Sequence, residues 1–231
     1  MTLFESFLNG YVPERITSPV YFLSRPVGLL LVPGHGDRDH TKGKHNADGS
    51  IYEGEWARKQ VALMLPGLRA LGFDARCLVP EDEDIHIKVR AARANAIMKA
   101  EPDKYWIYLA VHLNAVHGGE RTWDDTASGF IAYATSNASV FSCNWAKQLV
   151  AKARSWGLGG NRSIPDEGFK RRDWTEIYCS KMPAILVEHA FMTNRKEAAW
   201  LNSDKGRRTL EGLHTAVLCE IFGIPYAHIV R

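Results

Sequence analysis

No stretch of the 231-residue sequence offers the ~20 consecutive apolar residues that a membrane-spanning helix needs. The opening residues, Met1 to Gly10, carry no basic segment ahead of an apolar core, so they do not read as a signal peptide. Cysteine is scarce, with four residues at positions 77, 143, 179 and 219 and no Cys-x-x-Cys pair. That argues against a zinc knuckle or a disulfide framework. Each lies in an apolar stretch, so four buried free thiols are expected, made in a reducing compartment. Net charge is only +3, a basic excess too small to argue for nucleic-acid binding. The densest basic spots, Arg171–Arg172 and Arg207–Arg208, read as solvated surface charge. No repeat, low-complexity segment or linker interrupts the chain.

What is present is ordinary globular composition, 45% hydrophobic and 24% charged. A chain of this length buries enough apolar surface to fold without disulfides or a structural metal, so a metal found here would serve chemistry. After a lead-in over residues 1–26, the apolar run Val27 to Val32 stops at Pro33-Gly34 and reads as a buried strand. Further strands are expected at Phe73–Val79, Tyr105–Val111, Gly129–Tyr133, Thr175–Cys179 and Ala184–Val187. Helical patterns fall at 52–65, where Pro66 should kink or end the helix, and at 86–100, 139–156, 195–202 and 204–222. Ser203 is the expected N-cap of the last. The stretches 37–50, 116–128 and 157–173 read as loops. Strands alternating with helices predict an α/β fold, a single domain over 27–224 with a twisted, mostly parallel central sheet and helices on both faces. A short tail, 225–231, follows.

In open α/β sheets, sites gather beyond the carboxyl ends of the strands. Three apolar runs deliver the right chemical types there: Gly34-His35-Gly36, His112-Leu113-Asn114 and Glu188-His189. A catalytic zinc centre takes three nitrogen or oxygen ligands and leaves a position open. His35 and His112 are two, and Glu53 or Glu55, at the start of the first helix, is the third. Glu188 is placed to act as general base. Each residue taken alone has a simpler account, as a hydrogen-bonded strand-end histidine, a first-turn helix charge or an ion-pair partner. Convergence of independent strand ends on one edge favours the site.

With these residues in place, the sequence resembles the zinc amidases of peptidoglycan, the group often called amidase type 3. The resemblance runs in order from Val27 to Ile224. It rests on Val32-Pro33-Gly34-His35-Gly36, a spaced glutamate before a helix, Leu71-Gly72-Phe73, Arg93-Ala-Asn95, His112-Leu-Asn114-Ala115, Gly129-Phe130, and the block from Met182-Pro183 through Glu188 and Phe191 to Asn194. It implies that His35, Glu53 and His112 hold Zn2+ and that Glu188 is the catalytic base. Glu53 precedes Gly72 by nineteen positions, as the family's glutamate does, and Glu55 remains the alternative.

The same resemblance implies peptidoglycan as partner, cut between the lactyl group of N-acetylmuramic acid and L-alanine by a monomer. Substrate contacts are expected at Asn114, His189 and Arg171. Lys170, Arg172, Trp123 and Trp174 are either further contacts or ordinary surface and packing residues. The family has a small residue where this chain has His189, and His40 and His45 fall between the first two ligands as loop histidines or as additional metal contacts. A catalytic domain with no signal peptide looks like a phage lysis enzyme, made in the cytoplasm and acting on the cell wall after release. A zinc carboxypeptidase- or aminopeptidase-like hydrolase and an inactive wall-binding module are the competing readings.

Overall fold

The structure, a computed structural model, describes residues 25–41, 44–116 and 122–225. Most of the lead-in and tail anticipated from sequence, and part of the 116–128 loop, lie outside these residues. The chain runs β1 (Val27–Pro33), α1 (Glu53–Ala70), β2 (Asp74–Cys77), α2 (Ile87–Ala100), β3 (Tyr105–Asn114) and β4 (Ile131–Ala134). It continues through α3 (Val140–Ser155), β5 (Lys170–Arg171), α4 (Thr175–Tyr178), β6 (Ala184–Phe191), α5 (Arg195–Asn202) and α6 (Asp204–Phe222). The strands form one six-stranded sheet in the order β2-β1-β3-β6-β4-β5. β2, β1, β3 and β6 pair in parallel, β4 runs antiparallel to β6, and β5 pairs in parallel with β4.

The near-continuous apolar runs of β1, β3 and β6 are what a strand buried on both faces requires. Successive side chains alternate between faces. Leu29 and Leu31, Ile107 and Leu109, and Ile185 and Val187 join one core with α1, α3, α5 and α6. Leu30 and Val32, Trp106 and Tyr108, and Ala184 and Leu186 join a second with α2 and α4. Continued to the strand ends, this alternation directs His112 and Glu188 toward the α2/α4 side and His189 toward the larger core. No helix among the described residues is long and apolar enough to cross a membrane.

Four expectations are corrected. Thr175–Cys179 is not a strand: Thr175–Tyr178 form one helical turn, α4. Its Thr, Ile and Tyr favour extended structure on propensity, but four residues carry little of that preference against packing. The two-residue strand β5 lies within the stretch read as a loop. Pro66 does not end α1, which runs on to Ala70. Ala62 and Pro66 are both exposed, so the carbonyl that loses its helical donor faces water. The cysteines are all free, but only Cys219 is buried, while Cys77 and Cys143 are half-buried and Cys179 is exposed. Cys77 closes a short edge strand and Cys179 caps a single turn, places the core does not cover. Helices α5 and α6 begin and end where the sequence puts them, and Ser203 caps α6 by accepting from the Gly206 amide.

Candidate metal centre and active site

The site begins where β1 stops. His35 sits in the left-handed backbone region at φ 55°, the one non-glycine residue there among those described. For a residue with a Cβ that conformation stores on the order of 1–3 kcal/mol. It is held by Arg58, whose Nη1 donates to the His35 carbonyl at 2.9 Å. The preceding Gly34 is there for space: a Cβ on it would fall 2.3 Å from Cε1 of the His112 ring. Gly54 is needed in the same way, since its Cβ would meet the Gly36 carbonyl oxygen at 1.8 Å. The β1 turn and the start of α1 thus close on each other with no room for side chains.

That close approach brings in the carboxylate. Glu53 is the first residue of α1, its amide donating to the Lys44 carbonyl at 2.8 Å. It is 3% exposed. Its Oε1 accepts from the Leu113 amide at 3.0 Å and lies 3.0 Å from His112 Nδ1, while Oε2 lies 3.6 Å from His35 Nε2. Glu55 points away and forms a two-pronged ion pair with Arg38, the second contact 2.8 Å long. Of the two glutamates left open by the sequence, the structure brings Glu53 to the histidines. Ligand atoms of His35, Glu53 and His112 all lie within 4.8 Å of one another.

Adjacent to this trio is Glu188, paired with His112 across the β3/β6 ladder. The register shifts immediately beyond, so that Asn114 pairs with Phe191, a strand-end irregularity of the kind that re-aims side chains beside sites. Burial, then the like charge of Glu53, push the Glu188 carboxyl up to about 7 against the opposing pull of His112. Its Oε2 is buried without a hydrogen-bond partner. For Glu53, burial would raise the carboxyl, but His35 and His112 hold it well below the usual carboxylate range. Burial disfavours charge on His112, yet bonds to Glu176 and Glu53 raise its pKa far above that of a free imidazole. The cluster as built prefers added positive charge, and two imidazoles with one buried carboxylate are the donor set a divalent transition metal takes. The residues therefore fit a metal ion.

Glu176 is the site residue that sequence reasoning missed, because it lies in the turn read as a strand. Its Oε2 is 3.2 Å from His112 Nε2.

The remaining expectations divide. Asn114 reaches the strand end, where its Oδ1 accepts from the Ala115 amide at 2.9 Å. His189 does not face the site. It is 1% exposed and sits on the larger-core side, with Nδ1 3.0 Å from the His112 carbonyl and Nε2 2.8 Å from His214 Nε2. Trp56 and Phe130 pack around its ring. The alternation of β6 accounts for this: Glu188 and His189 are neighbours and must point to opposite faces. Arg171 lies on edge strand β5 opposite Ala134, while Ile131 is the β4 residue level with Glu188. β4 runs back toward the start of β6, which carries Arg171 away from the site end. Its guanidinium is taken up by Glu167 and the Thr135 carbonyl. His40 pairs with Asp37, and His45 bonds the Asn46 carbonyl and packs on Tyr52, so neither joins the trio. Arg172 stacks on Trp174 and Arg195 on Trp123.

Comparison with known proteins gives this geometry a family. The sequence is 26% identical over 198 residues to the endolysin of Bacillus phage SPP1, covering 85% of this chain and 66% of that protein. It is 28% identical over 198 residues to the N-acetylmuramoyl-L-alanine amidase LytC of Bacillus subtilis (strain 168), covering 83% of this chain and 35% of that one. The chain thus spans just under two thirds of the first relative and about a third of the second. The crystal structure of the amidase Ami1 from Mycobacterium smegmatis matches with a TM-score of 0.69 at 19% identity, covering 85% of this chain and 97% of that one, a likeness of fold. Residues 29–218 match the family described as N-acetylmuramoyl-L-alanine amidase, and the chain belongs to that family.

Proposed function

We propose that the chain is a zinc hydrolase that cuts the amide bond between the lactyl group of N-acetylmuramic acid and L-alanine in peptidoglycan, with residues 27–224 as its catalytic domain. The observation that carries this reading is the trio His35, Glu53 and His112 with Glu188 paired beside it on the next strand. His35, Glu53 and His112 would hold the metal. Bound there, Zn2+ supplies Lewis acidity toward the scissile carbonyl. Glu188 does the proton work. It is half-buried, its Oε2 is buried without a partner, and its carboxyl is tuned close to neutrality, where a general base is most effective. It takes the proton from the attacking water and returns it to the departing amine of L-alanine. The phage relative's name, endolysin, supports a role in cell lysis, with the protein acting on the wall.

The test is digestion of purified sacculi, with products identified by mass spectrometry. Stem peptides beginning at L-alanine should appear, vanish with EDTA and return with zinc. Glu188→Gln should lower turnover by about 10²–10⁴-fold while zinc content stays unchanged. Fragments cut inside the stem peptide would replace this reading with a peptidase. Protein free of zinc after dialysis against it would remove the metal assignment.

A further inference from the structure

His112 is held from both sides. Nδ1 faces Glu53 and the trio, and Nε2, on the opposite edge of the ring, meets Glu176. Glu176 is 4% exposed, on a helix of a single turn. Its other oxygen, Oε1, accepts from the Tyr108 hydroxyl at 3.0 Å and lies 3.5 Å from Arg90 Nη1. Arg90 is 1% exposed, and the same Nη1 donates to the Pro33 carbonyl at 2.7 Å, two residues before His35. Its Nε donates to the Ile85 carbonyl at 2.6 Å, and its Nη2 reaches Asp84 at 3.2 Å.

A buried glutamate here has no ready explanation in stability. Buried ion pairs return little net stabilisation once desolvation is counted, and Asp84 already balances the Arg90 guanidinium. What Glu176 adds is direction. An imidazole that binds a metal through one nitrogen can flip and present carbon instead, unless its other N–H is fixed by an acceptor. A carboxylate in that place also makes the metal-facing nitrogen more basic. Glu176 cannot follow the ring if it turns, because Tyr108 on the sheet and Arg90 on α2 anchor its second oxygen.

We propose that Glu176 is a positioning residue for the metal centre, accepting from His112 Nε2–H and so presenting Nδ1 to the metal, with Arg90 tying this acceptor to the end of β1 that carries His35. The inference rests on the zinc reading above and adds a residue to it. Glu176 touches neither metal nor substrate and acts through His112.

Two measurements decide it. Long-range ¹H–¹⁵N spectra of the zinc-loaded wild-type protein should show the His112 proton on Nε2, and a proton on Nδ1 would overturn the proposal without any variant being made. Competition against a chromophoric chelator should show Glu176→Gln weakening zinc affinity by about 10–100-fold, the range for loss of such outer partners. At saturating zinc, that variant should lose kcat with little change in KM. Wild-type affinity in Glu176→Gln would overturn the proposal while leaving the zinc reading intact. Failure of the wild-type protein itself to bind zinc would overturn both.

Discussion

Gly34 shows how one missing side chain sets the position of a site residue, His112, that it does not touch through polar atoms. The His112 ring occupies the volume where a Cβ would stand, so Gly34→Ala must displace either the ring or the end of β1. Overpacking of this kind costs about 1–3 kcal/mol. The variant should melt several degrees lower and bind zinc more weakly, read by calorimetry and chelator competition; an unaltered zinc affinity would show that the ring has room to move. At the same scale, strand-end chemistry was legible in the sequence. His35, His112 and Glu188 each follow or close an apolar run, and the shared face of His112 and Glu188 follows from counting in twos along β3 and β6. The choice between Glu53 and Glu55 was not settled by the residues themselves. It depends on which first-turn position of α1 the Gly36–Gly54 contact presses against the sheet, and on Arg38 being free to take Glu55.

Helix α5 packs beside β6 beyond the site and depends on its cap. Asn194 accepts from the Lys196 and Glu197 amides at 3.0 and 3.2 Å, and its Nδ2 donates to the buried Ala127 carbonyl at 3.0 Å. Asn194→Ala removes the cap and strands a buried carbonyl, so it should cost about 2 kcal/mol. Urea denaturation would check this, with a change below about 0.5 kcal/mol contradicting it, since that is the range of inconsequential surface changes. Elements with such signals were readable in advance. α5 and α6 carry caps and several turns of amphipathic pattern, and the central strands carry unbroken apolar runs. α4 and β5 were not readable, because one turn and two residues hold too little local preference to outweigh what tertiary contacts impose. Glu176 was lost with α4, since only packing brings that turn beside His112.

For the molecule as a whole, acidity bears on two histidines of the larger core. His189 and His214 are buried and share a hydrogen bond between Nε2 atoms, one of which must donate while the other accepts. Burial pulls His189 down to about 4 and His214 well below its ordinary value. In the unfolded chain both bind protons near pH 6.5. As pH falls below that value the unfolded state takes up protons that the folded state refuses. Stability is therefore fully present above about pH 6.5 and is lost as pH drops toward about 4, by up to a few kcal/mol for His189. Melting temperature should decline from pH 7 to pH 5, and less steeply in His214→Leu. A flat profile would mean that the pair accepts a proton in place.

Among the described residues β6 is the last strand to leave the ribosome, yet the sheet order seats it between β3 and β4. A growing chain that has released residues 35 to 112 already holds every member of the trio, but β3 then has one edge open and nothing stands where Glu188 will be. Only when the segment past residue 184 emerges can the sheet close and Glu188 meet the trio. Under the proposed function, a nascent or truncated polypeptide that ends before β6 lacks the group assigned as the base. The proposed hydrolysis would then wait on translation having passed β6.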